Sequence, residues 1–291
     1  MRTITDEHLQ AYQEGGCLQK LFDVIKEDPE LSFEIRMNNK VMIYYHKDRI
    51  LTISYCKGKP SIDTLSEKYY KNARPPSVSF EDGDLIQILR DKSQLRQYFR
   101  EAKGLVGSYK EGLEFEVQQN IALVNRSFSN RFVVVDMEWQ LPQSDIKKEE
   151  RIGRTRIDLV VVDMKRNERG ENDIYLGELK VGIGATDGKS GIDAHIEKTN
   201  KLICSPKACA VLRADVERII RQKAALGLLE GDYAGLNLSA TPRMMLILAC
   251  RGSEERRALK KQGEKAREEA KARGIPEPLI VWPNAQNILD V

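Results

Sequence analysis

The 291-residue sequence has no apolar stretch long enough to span a bilayer. Its longest, "MMLILAC" at 244–250, falls far short of the roughly 20 residues a membrane helix needs. The opening, "MRTITDEHLQAYQEGG", has no apolar core, so no secretory leader is expected, and a reducing cytoplasm is the expected compartment. Five cysteines are scattered and odd in number, which gives no basis for a disulfide framework. Histidine is scarce: His8, His46 and His195 do not by themselves compose a Ser-His-Asp set. Charge of one sign is lacking too, since a net +3 is too mild to indicate nucleic acid by itself. What remains is 41% hydrophobic and 31% charged, the profile of a globular chain with ample core.

Residues 1–107 read as a separate α+β domain. "GGCLQKLFDVIKEDPE" has helical spacing and stops at Pro29. Three strand-like runs follow, "LSFEIR", "VMIYYH" and "ILTISYC", joined by turn-forming "MNNK" and "KDR", which predicts an antiparallel meander. Asp84 is the expected cap of one helix over "LIQILRDKSQLRQYFREAKG", and Gly104 and Gly107 mark a hinge. Residues 108–291 read in the order α-β-β-β-α-(α)-β-α-β. The fold class this implies is α/β, a mixed central sheet flanked by helices. Ser253 is the expected cap of its last helix and Gly274 the stop.

Two of these strands carry charge. "RIDLVVVD" opens with Asp158, and "IYLGELKV" contains Glu178 and Lys180. The polar segment "MKRNERGEND" between them predicts an antiparallel hairpin centred near Glu168. That centre sets Asp158 opposite Glu178 on one face, with Lys180 on the same face two residues on. Two readings follow. The three groups form an ion-pair cluster, or the two acids hold a hard cation, Mg2+ or Mn2+, between them. A cation there would polarise a phosphodiester and lower the pKa of a bound water.

These residues resemble the PD-(D/E)XK, or restriction-endonuclease-like, superfamily. "RIDLVVVD" matches its acid at the start of the second core strand and "GELK" its E-x-K on the third. The resemblance covers about Gly112 to Leu202. Ile157 stands where the motif's proline would be. An αβββαβ core, a divalent metal and cleavage of nucleic acid, DNA more than RNA, are what the resemblance implies. It also implies a further acid on the preceding helix "GLEFEVQQNIAL", where the family's common F-E start selects Glu116 over Glu114. The expected metal ligands are then Asp158, Glu178 and Glu116, with Lys180 as a catalytic cation. Restriction or defence and a homodimer cutting two strands are family expectations as well. Alternatives are a nuclease-like module that binds nucleic acid or protein without cutting, and a nucleotide triphosphatase.

Other signals rank below this one. "GIGATDGKSG" sits in the strand–loop–helix context of a phosphate loop, yet its first glycine is one residue out of register in either direction. Cys204 and Cys209, with His195 nearby, read as core or structural cysteines before zinc ligands. The helix Glu254–Arg273 has eight Lys or Arg against five Glu, which reads as a solvated, salt-bridged surface before a nucleic-acid contact. Leu113, Val117, Ile121 and Val124 are the expected buried face of the helix that bears Glu116.

Overall fold

The computed structural model describes residues 1–46, 48–81, 83–109, 112–142, 156–182 and 192–290. The chain forms two compact units. The first comprises Met1–Leu123 together with Arg221–Leu228, and the second Val124–Ile220 with Leu229–Val291. The first unit thus runs past the expected limit at Gly107 and takes in a short segment from much later in the chain.

The first unit contains helices α1 (Asp6–Ala11) and α2 (Gln19–Glu27) and a four-stranded antiparallel meander. Its strands are β1 (Ser32–Arg36), β2 (Lys40–Tyr45), β3 (Asp48–Cys56) and β4 (Lys59–Asp63). Asn38 and Asn39 both take positive φ at the first turn (63° and 57°), which asparagine tolerates. β4 was not expected, because "KPSID" is polar and contains a proline. As an edge strand it accommodates both. Beyond it lie α3 (Leu85–Leu89), α4 (Lys92–Gly107) and α5 (Leu113–Val124). α3 and α4 replace the single expected helix. Asp84 makes no side-chain cap, whereas Asp91 accepts from the backbone N–H of Ser93 and Gln94 and starts a new helix. α4 continues through Gly104 to Gly107, so neither glycine is a break. Leu21, Phe22 and Ile25 of α2, Ile35, Ile43 and Ile53 of the sheet, and Leu95 and Phe99 of α4 share one core.

The second unit is built on a six-stranded mixed sheet in the order β10-β9-β8-β7-β6-β5. These strands are β5 (Phe132–Gln140), β6 (Arg156–Arg166), β7 (Asn172–Val181), β8 (Arg243–Ala249), β9 (Leu279–Pro283) and β10 (Leu289–Asp290). β5, β6 and β7 are antiparallel, β8 runs parallel to β7, and β9 parallel to β8. The helices are α6 (Ile192–Ile203), α7 (Pro206–Ala225) and α8 (Ser253–Ala272). The sequence order stands, with the two-residue β10 added. Ser253 is the first residue of α8 and not its cap, a position Gly252 takes. Glu255 instead reaches back to accept from the Arg251 N–H at 2.8 Å. Gly274, at φ +66°, follows the helix end, where only glycine takes that conformation freely.

One sheet face is covered by helices. Val160, Val162, Ile174 and Leu176 pack with Leu202 of α6 and Leu212 and Val216 of α7. Met244, Leu246 and Leu248 of β8 pack with Ile192 and Ile196 of α6 and Leu259 and Ala266 of α8. Ile157–Asp163 of β6 and Asn172–Lys180 of β7 are buried, as suits central strands. Among the described residues no helix is long and apolar enough to cross a membrane.

Candidate active site

The β6–β7 hairpin pairs about the expected centre. Leu159 opposes Gly177, Val160 opposes Leu176, and Val162 opposes Ile174. Asp158 and Glu178 lie one step further along the same register. At the tip the Asn167 side chain accepts from the N–H groups of Arg169 and Glu171, and Gly170 takes φ +73°. An irregularity between Val162 and Arg166 absorbs the mismatch between this turn and the ladder. Gly177 is closely packed beside the acids. A Cβ there would stand 3.1 Å from both Ile247 Cδ1 and the Leu159 carbonyl oxygen.

Three charged side chains meet at this level of the sheet, all of them buried. Asp158 Oδ2 accepts from the backbone N–H of Leu179 at 2.9 Å, tying one acid to the strand that bears the other. Lys180 Nζ donates to Glu178 Oε1 at 2.7 Å. The other Glu178 oxygen, Oε2, is 2.8 Å from Nδ1 of His195. Lys180 is only 3% exposed, so its ammonium is held by partners instead of water.

His195 is the residue that sequence reasoning did not place here. The sequence sets it only beside Cys204 and Cys209. Ile192, Ile196 and Thr199 are buried on α6, and residues at this spacing share a helix face. His195 borders that stripe, and seating Ile192 and Ile196 on β8 brings its ring to Glu178. The stripe was readable, but what lay opposite its border was not. Cys209 is a buried free thiol whose pKa burial pushes up, and its sulfur lies 3.3 Å from the Ile203 carbonyl. That is a core cysteine.

Glu116 is placed in the first unit, on α5. Its Oε1 is 3.8 Å from His46 Nδ1. α5 is bound into that unit by Gln119, whose amide donates to the carbonyls of Glu30 and Tyr44 at 3.1 and 2.9 Å. The expected apolar face of this helix holds at Ile121 but fails at its two ends. Leu113 and Val124 are exposed, and Gln118, Gln119, Ile121 and Ala122 are buried. The phosphate-loop segment, 183–191, lies outside the described residues. α8 carries the pairs Lys260–Glu264, Lys265–Glu269 and Arg273–Glu269, as a solvated helix does. A cleft of about 620 Å3 lies at the hairpin tip, where Arg131–Asp163 and Arg243–Asp173 are ion-paired, and it includes none of Asp158, Glu178 and Lys180.

Among the described residues no three His, Cys, Asp or Glu side chains converge into a ready-made cation cage. In kind the donors suit a hard divalent ion: two carboxylates on adjacent strands at one level of the sheet. Both Glu178 oxygens are engaged, Oε1 by Lys180 and Oε2 by His195, so a cation that left the Lys180 pair intact would meet Oε2 beside the imidazole. No protein-family model matches this chain, and neither curated proteins nor solved structures yield a match.

Proposed function

We propose that the second unit is a divalent-metal-dependent nuclease of the PD-(D/E)XK kind, hydrolysing phosphodiester bonds of nucleic acid, DNA in preference to RNA. The observation that carries this is the grouping of Asp158, Glu178 and Lys180 on adjacent antiparallel strands. The order of elements, α5-β5-β6-β7-α6-α7-β8 with β8 parallel to β7, supports it. Asp158 and Glu178 are the residues that would hold the ion. Bound there, Mg2+ or Mn2+ would supply a polarised phosphate and a more acidic water. Lys180, a point charge beside Glu178, orients the attacking water or stabilises the charge that builds on the phosphorane oxygens. Glu116, the helix acid that the resemblance implies, lies in the first unit.

The Lys180–Glu178 contact favours a second reading, an ion-pair cluster in a module that binds without cutting. Thermal melts separate the two, together with cleavage of DNA and RNA in Mg2+, Mn2+ or EDTA. A cation site predicts that either ion raises the Tm of the wild type by mass action, and that Asp158→Asn abolishes both this rise and cleavage. Lys180→Ala leaves Glu178 buried without its ammonium and costs about 3 kcal/mol in the metal-free protein. Added ion then restores much of that loss while turnover stays low. A wild type indifferent to both ions, with the Lys180→Ala loss not recovered, overturns the nuclease reading.

A further inference from the structure

We propose that His195 is a nitrogen ligand of this cation and that it tilts the site from Mg2+ towards Mn2+, Co2+ and Ni2+. The inference rests on the metal-site reading above and adds a ligand to it.

The geometry of Glu178 leads to it. Lys180 engages Oε1 and His195 engages Oε2. A cation that leaves the Lys180 pair intact reaches Glu178 through Oε2, where the imidazole already stands. Two neighbouring ligands of an octahedral ion with bonds of roughly 2.1 Å lie about 3 Å apart. The Nδ1–Oε2 separation is 2.8 Å, so one ion can take both atoms with little movement of either.

His195 is also held where a ligand should be. Ile192 and Ile196 anchor its turn of α6 against Met244, Leu246 and Leu248, so a ring displaced from Glu178 stays within reach. Its side chain is 25% exposed, which leaves a path for the ion. In the hydrogen bond to Glu178, Nδ1 is the donor. Ligation needs Nδ1 bare, and the ring meets this by carrying its hydrogen on Nε2. Carboxylate sites suit Mg2+ and Mn2+ alike, whereas an imidazole nitrogen is a better ligand for Mn2+ and the later transition ions than for Mg2+. A merely structural cap on Glu178 would instead compete with every cation equally.

The test measures binding of the ions themselves to the full chain. Calorimetric titration with Mg2+ and Mn2+ is run on the wild type, His195→Ala and His195→Gln, each checked for an intact melt without metal. We expect His195→Ala to weaken Mn2+ about ten-fold or more and to change Mg2+ by no more than about two-fold. Electron spin-echo spectra of bound Mn2+ should show nitrogen modulation in the wild type and lose it in both variants. If the wild type binds both ions but shows no such modulation, or if His195→Ala changes both affinities equally, the ligand role falls and the carboxylate site stands. If the wild type binds neither ion, both fall.

Discussion

His8 is fully buried in the first unit, its ring stacked on Tyr12 and Tyr55 with centroids 5.1 Å away in each case. Nδ1 lies 3.1 Å from Asn39 Oδ1, and Nε2 lies 2.9 Å from the Tyr12 hydroxyl. The Asn39 amide is oriented by its own bonds, with Oδ1 accepting from Thr5 N–H and Nδ2 donating to the Tyr55 carbonyl. Oδ1 can only accept, so the hydrogen sits on Nδ1 and Tyr12 donates to Nε2. Burial lowers the His8 pKa from 6.5 to about 4. The folded state therefore prefers the neutral ring. Its contribution to stability is complete above pH 6.5, falls as pH drops towards about 4, and is flat below. The loss should reach about 3 kcal/mol, read as a falling urea midpoint across that window. His8→Leu should flatten this component, and an unchanged pH slope in the variant would sink the assignment. At this scale the sequence exposed some residues and hid others. Asp158, Glu178 and Lys180 stood out because charge inside valine-rich strands needs a use or a partner. His8 and His195 did not, because each matters through a neighbour supplied by another element.

Element order and type were readable wherever the apolar period was strong, as in β6, β7, β8 and α2. The hairpin register was readable too, because a polar linker of fixed length between two regular strands leaves few pairings. α5 resisted the same treatment. Its apolar residues suggested one face, while burial follows Gln119, whose amide finds two backbone carbonyls that no period reveals. α4 shows a related failure. Gly104 looked like a break, yet a helix fixed by packing tolerates a glycine at about 1 kcal/mol. α5 also carries Glu116, the helix acid that the resemblance implies. Glu116 is 29% exposed along its side chain and approaches His46, whereas Glu114 lies two residues away on an exposed stretch. On the nuclease reading, Glu116→Gln should lower cleavage about a hundred-fold and Glu114→Gln by no more than about two-fold. Initial rates on a DNA duplex decide it, and the reverse order would move the helix acid to Glu114.

The division of the molecule was the least readable feature, because it does not follow the chain. Residues 221–228 belong to the first unit although both their flanks belong to the second. Two side chains show why. Gln222 donates to the Ile4 carbonyl at 2.6 Å and accepts from the Ile4 N–H at 3.1 Å. Lys223 Nζ stands 2.8 Å from Glu34 Oε2, and both residues are buried, at 5% and 4% exposure. Arg36 approaches the same Glu34 oxygen at 3.8 Å. Replacing the lysine leaves a buried carboxylate with the arginine alone, so Lys223→Met should destabilise the first unit by about 3 kcal/mol. Glu34→Gln in the same chain should recover most of the loss, since the uncompensated charge is then gone. The chain supplies its own reporters for where this loss is felt. Both tryptophans, Trp139 and Trp282, lie in the second unit, while Tyr12, Tyr44 and Tyr98 are buried in the first. Lys223→Met should lower the midpoint read by the near-ultraviolet tyrosine signal and leave the tryptophan-fluorescence midpoint close to wild type. Equal displacement of the two midpoints would show that the units unfold as one, and that the division seen in the contacts is not a division of stability.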